Sequence, residues 1–241
     1  MNPDKPHQQA QVVIPSEELE RKRKRQHDRE EEAAFMMDDL KSGDFLLFLQ
    51  EVPKAKMSHC RAWSCMPYKR TGSPVIRSNY RFKLENVSAS SNYKIKYYHV
   101  TCLERFLPDL PGLVRDGYLK MAGYISAPID SGVCLQSSAE AIADWFRYEG
   151  STFDLGFYER FNKSYQEWEG DWSVRCIEHQ LGHQEEPDSD CSFCQSLPIP
   201  EEPRKSDYFP EEPSVIMLSQ LLASVSAQSH IDKWWRWRKQ E

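Results

Sequence analysis

The sequence predicts an α+β fold: a small antiparallel strand hairpin packed with a helical turn, flanked by α-helices and disordered tails. Three observations carry this. Apolar and basic residues alternate at period two in Pro74-Val75-Ile76, Tyr80-Arg81-Phe82-Lys83-Leu84 and Tyr93-Lys94-Ile95-Lys96-Tyr97, which is the pattern of strands. Helical patterns lie on both sides of that region. Two pairs of ligand-type residues bracket it, Cys60-x4-Cys65 and His99-x2-Cys102, so one metal ion would join the hairpin to the turn that follows.

Taken in order, residues 1–15 are polar and expected to be disordered. Residues 16–52 read as a charged, then amphipathic, helical region. Ser16 can cap it, with Glu17 and Glu18 suiting the positive helix end. From Leu19 to Glu32 there is almost no apolar face, whereas Ala33 to Leu40 is apolar. Ser42-Gly43-Asp44 breaks the pattern, and Phe45, Leu46, Phe48 and Leu49 predict another helical turn or two, ended near Pro53. Residues 53–128 hold the metal-centred hairpin, with Asn86–Asn92 as a polar loop and a helix running from His99 to Phe106 before Pro108.

Residues 136–172 predict a helix pair. Ser137-Ser138-Ala139-Glu140 has the spacing of a capping box, opening a helix through Tyr148 that Gly150 terminates. Phe153, Phe157, Phe161, Tyr165 and Trp168 recur at near-helical spacing up to Gly170, the stripe of a core or of a partner-helix face. Residues 173–200 hold a second Cys/His cluster. Residues 184–213 are rich in Glu, Pro, Ser and Asp and read as a linker, so 201–241 comprises its end and a C-terminal helix over Val215–Val225. A Trp-rich basic tail follows, Lys233 to Lys239, which could seat in a protein partner, pack on the core or lie at a membrane surface.

Mean hydropathy is −0.71, and 28% of residues are charged, so polar segments are expected around a modest core. No apolar run approaches the roughly 20 residues needed to span a bilayer, which excludes a membrane-spanning reading. The polar N-terminus is no secretory signal, and an intracellular, reducing setting is expected. There, seven cysteines are better explained by metal than by disulfides. Gly-rich phosphate loops, Gly-x-Ser-x-Gly and His-Glu-x-x-His are all missing, so no enzyme is expected.

Cys60, Cys65, His99 and Cys102 offer three thiolates and an imidazole, the donor set of a closed structural zinc site. His59 could stand in for Cys60. The segment Lys56 to Cys65, then Val75-Ile76-Arg77-Ser78, then Tyr97-Tyr98-His99-Val100-Thr101-Cys102-Leu103-Glu104, resembles a poly(ADP-ribose) polymerase-type zinc finger. The resemblance spans about residues 53–110 and departs from the family at the first pair, which here is Cys-x4-Cys instead of Cys-x2-Cys. It implies a finger that recognises DNA by its breaks, ends and exposed bases.

Charge segregation points the same way. From Lys54 to Cys102 there are ten Lys or Arg against the single acid Glu85. That window carries +9, and the formal −6 of the chain leaves −15 elsewhere. A basic island in an acidic chain suits nucleic acid, with DNA the expected form. The candidate contacts are Arg61, Trp63, Lys69, Arg70, Arg77, Arg81, Lys83, Lys94 and Lys96, with Arg77 and Arg81 the leading phosphate contacts. The alternative is a zinc-scaffolded adaptor for protein partners. Arg21-Lys22-Arg23-Lys24-Arg25 matches a nuclear-import run, although acids from Asp28 to Glu32 could equally balance it along a helix. The second cluster, Cys176, His179, His183, Cys191 and Cys194, offers five candidates for four places around a further zinc ion.

Overall fold

The computed structural model describes residues 16–53, 57–65, 72–88, 95–182 and 201–226. The expected disordered N-terminus and the Trp-rich tail lie outside them. The fold is mixed α+β, as predicted.

Helix α1 (Ser16–Lys41) runs without interruption through the charged and apolar stretches. Its first turns are solvated, and only near its end does a stripe at i, i+4 spacing (Glu32, Met36, Leu40) become buried. Gly43 adopts φ 80° just beyond the helix, a conformation open to glycine at little cost, and turns the chain.

The segment expected to be helical after this turn is instead strand β1 (Phe45–Glu51). It is an inner strand of a four-stranded sheet ordered β3-β2-β1-β4, built with β2 (Tyr80–Asn86), β3 (Lys96–Tyr98) and β4 (Leu119–Met121). β1 pairs antiparallel with β2 and parallel with β4, and β2 pairs antiparallel with β3. A strand flanked on both edges reads as a nearly continuous apolar run, and periodicity does not separate that run from a short helix. The residues around Val75 form only an isolated pairing with His59.

Leu47, Leu49, Phe82, Leu84, Tyr98 and Leu119 point into the core from one face of the sheet, each 4% exposed or less. Met36 and Leu40 of α1 join the same hydrophobic cluster. So do Leu103 and Phe106 of α2 (Val100–Phe106), and Leu110 and Leu113 of α3 (Leu110–Arg115). The cluster continues into α4 (Leu135–Arg147) through Ala141, Ile142 and Trp145, and into α5 (Leu155–Gly182) through Leu155 and Tyr158.

The expected capping box does not form. Cys134 is the N-cap of α4, and Ser137 and Ser138 lie buried within the helix, bonding Asn162 Nδ2 and Ala127 N. α5 runs past Gly170 to Gly182, so the first part of the expected second metal segment is helix.

The stretch read as a linker also departs from expectation where it is described. Phe209 sits among Phe153, Phe157 and Phe161 of the aromatic stripe and the adjoining Tyr158, with ring centroids 4.9–6.2 Å apart. Lys205 pairs with Glu140 at 3.2 Å, and β6 (Ser214–Val215) pairs with β5 (Ser151–Thr152). Trp145 Nε1 donates to Ile216 O at 2.8 Å. The C-terminal helix is present as 218–226 (α6), and Leu218, Leu221, Leu222 and Val225 enter the core.

Candidate metal centre

The first ligand pair arrives on an extended segment that continues the sheet. Cys60 N–H donates to Pro74 O at 2.7 Å, Ile76 N–H to Ser58 O at 2.8 Å, and Arg61 N–H to Tyr97 O at 2.9 Å. Residues 58–61 therefore lie between β3 and residues 74–76. A tight turn follows, closed by Cys65 N–H on Ala62 O at 3.2 Å. The second pair comes from the strand-to-helix junction: His99 is the N-cap of α2, and Cys102 lies in its first turn. An i, i+3 pair on a helical turn faces one side.

Cys60, Cys65, His99 and Cys102 are all buried, and their donor atoms lie within 4.8 Å of one another. Cys65 Sγ is 3.6 Å and Cys102 Sγ 3.8 Å from His99 Nδ1, and the two sulfurs are 4.0 Å apart. Tetrahedral bonds of ordinary zinc–sulfur and zinc–nitrogen length would separate two sulfurs by about 3.8 Å and sulfur from nitrogen by about 3.6 Å. The four donors are positioned to hold a metal ion, and the spacing is compatible with zinc. His59, the alternative first ligand, is exposed and not among the donors.

The surroundings favour thiolate. The neighbouring Cys102 and His99 bring the Cys60 thiol down to about 4, against the opposing effect of burial. The His99 main-chain N–H also points at Cys60 Sγ, 3.4 Å away. One residue that the sequence reading left in the charged run supports the site. Glu32 of α1, 4% exposed, accepts from the Trp63 main-chain N–H with both carboxylate oxygens at 3.1 Å. It thereby braces the turn between Cys60 and Cys65. Burial pushes its carboxyl up to about 7, the Trp63 N–H opposing this. Its spacing of four and eight residues from Met36 and Leu40 was the signal available in the sequence.

The candidate nucleic-acid contacts separate into groups. Arg61, Trp63 and Arg77 are exposed, Trp63 at 58%. Arg81 is not a free phosphate contact, because it is 4% exposed. Its guanidinium lies 3.9 Å over the Tyr97 ring, and the Gln50 amide oxygen, turned toward it, accepts from it. Lys83 pairs with Glu85 at 2.7 Å, and Lys96 with Asp39 at 3.8 Å. Lys69, Arg70 and Lys94 lie outside the described residues. So do His183, Cys191 and Cys194 of the second cluster, whose remaining members Cys176 and His179 are half-buried on α5.

Among the described residues no helix is long and apolar enough to cross a membrane. Comparison with protein-family models, curated proteins and solved structures finds no match to this chain.

Proposed function

We propose that this chain is a non-catalytic, zinc-stapled module that binds nucleic acid, DNA foremost, in the nucleus. Three thiolates and one imidazole at tetrahedral spacing suit zinc, and four protein donors leave no position for substrate. The observation that carries the nucleic-acid reading is the turn between the first two ligands. It presents Arg61 and Trp63 to solvent while its backbone is anchored by the buried Glu32. A cation beside an aromatic ring on a fixed turn suits a phosphate and an unstacked base. The ligand spacing and the Ile76-Arg77 segment support a poly(ADP-ribose) polymerase-type finger with an enlarged first turn. The basic run Arg21–Arg25, exposed on α1, supports nuclear import.

Salt-dependent binding to nicked, duplex and single-stranded DNA tests this. Affinity should fall steeply with salt, and Arg61→Ala with Arg77→Ala should reduce the slope by about two. No binding at low salt to any of the three sinks the reading.

One observation favours a protein adaptor as the second reading. Val174, Ile177 and Leu181 are 55%, 55% and 77% exposed, at helical spacing along the far end of α5, as a face for a partner helix would be. A partner captured by that stripe and lost on Ile177→Asp would support it.

A further inference from the structure

The sheet has a second face, and its cross-strand registers align a pattern that the linear sequence conceals. Phe48 of β1 is opposite Lys83 of β2 and Lys120 of β4, and Lys83 is opposite Tyr97 of β3. The row across four strands therefore reads Lys120–Phe48–Lys83–Tyr97, cation and ring in alternation. Side chains directly opposite one another share a face. In the adjacent row Arg81 is opposite Gln50, and its guanidinium stacks on Tyr97 at 3.9 Å. Lys83 Nζ stands 5.5 Å from the centre of the Phe48 ring, held forward by Glu85. Lys120 is exposed, and Phe48, Lys83 and Tyr97 are half-buried, unlike the fully buried Leu47, Leu49, Phe82 and Leu84 that alternate with them.

We infer that this face is a stacking platform for single-stranded nucleic acid, a deepening that rests on the nucleic-acid reading above. Lys83 and Lys120 against Glu85 leave the accessible strand residues of this face at +1, complementary to phosphates, while Arg81, buried against Tyr97 and Gln50, fixes the Tyr97 ring. Strands about 4.8 Å apart put the positions of Phe48 and Tyr97 roughly 10 Å apart with Lys83 between them, a spacing for two bases in which one face of the Tyr97 ring is already backed by Arg81. A flat sheet offers rings to bases that are splayed out, and a duplex keeps its bases stacked within. Single strands are thus the occupant that uses both the rings and the charges.

The test uses the full chain with a fluorescently labelled thymidine oligonucleotide, and a duplex of equal length, followed by anisotropy. Phe48→Leu keeps the apolar bulk of an inner strand, and Lys120→Ala alters only an exposed side chain. Together they should weaken single-strand binding about tenfold or more while leaving the melting temperature and metal content near those of the unaltered protein. Ultraviolet crosslinking of the unaltered protein should place oligonucleotide adducts on peptides containing Phe48 or Tyr97. If the double variant binds single strands as tightly as the original, or adducts fall elsewhere, the platform is refuted while nucleic-acid binding stands. If the unaltered protein binds neither single strand nor duplex, the underlying reading falls with it. Equal competition by polyglutamate would reduce the face to charge alone and overturn the proposal.

Discussion

Cys102→Ser removes a sulfur lying 4.0 Å from Cys65 Sγ and 3.8 Å from His99 Nδ1, and so opens a donor set that joins two distant stretches of chain. Treated as a cross-link between the two ligand pairs, a bound metal ion would close a loop of roughly 40 residues, and the chain-entropy relation assigns such a closure about 4 kcal/mol. That is a large share of the ~5–15 kcal/mol by which domains are stable. For a chain of this size each kcal/mol moves the melting temperature by about 2–4 °C, so a fall of about 8–16 °C is expected. The hydrophobic side chains of β1 and β2 do not depend on the ion, so the sheet should survive at low temperature. Thermal unfolding by circular dichroism, with metal content by elemental analysis, reads both quantities. Chelation of the unaltered protein should reproduce the variant. Cys134→Ser, at the N-cap of α4 and outside the donor set, should leave both unchanged. A Cys102→Ser protein that retains its metal and melts within a degree or two of the original would refute the cross-link.

Glu32→Ala leaves the Trp63 N–H without its acceptor and should weaken metal affinity by about 10–100-fold, as loss of supporting contacts typically does, measured by competition with a chromophoric chelator. Acid should release a bound metal progressively, because protons compete with it for the ligands. The Cys60 thiol is held down to about 4 beside Cys102 and His99, so its contribution is fully present above the ordinary thiol range, shrinks as pH falls and is gone below about 4. Metal content that stays unchanged from about pH 8 to about pH 4 would contradict this. Tyr158→Phe removes a hydroxyl that donates to Asp144 Oδ2 at 2.8 Å and lies 3.1 Å from Thr152 Oγ1. It should cost about 1–2 kcal/mol in urea unfolding without altering metal content.

Much of the centre was legible because its chemistry is local. Spacing placed His99 and Cys102 on one helical turn, and the period-two pattern found β2 and β3. The sequence reading failed where long-range pairing decides conformation. Phe45–Glu51 reads as helix in isolation and becomes a strand because β2 and β4 occupy both its edges. Arg81 and Lys83 looked like free cations because alternation gives the face of a residue and not its neighbours. Their partners Gln50, Tyr97 and Phe48 come from other strands, and Glu85 is the one partner on their own. Glu32 hid within a charged run because neighbouring acids on a helix look alike until one meets a backbone amide 31 residues away. Phe209 lay in a proline- and acid-rich stretch whose composition masked a single ring that fits among four others.

The helix at 218–226 sets an order on biogenesis. Leu218, Leu221, Leu222 and Val225 fill the same interior as β1 and α1, and Ser219 N–H donates to Glu104, two residues beyond Cys102. While the ribosome is still extending the chain, the early elements wait with an incomplete interior. Until residue 226 clears the exit tunnel, the apolar seam that this helix closes stays open beside α2. A stalled or prematurely stopped polypeptide would thus present oily surface suited to prompt recognition by chaperones.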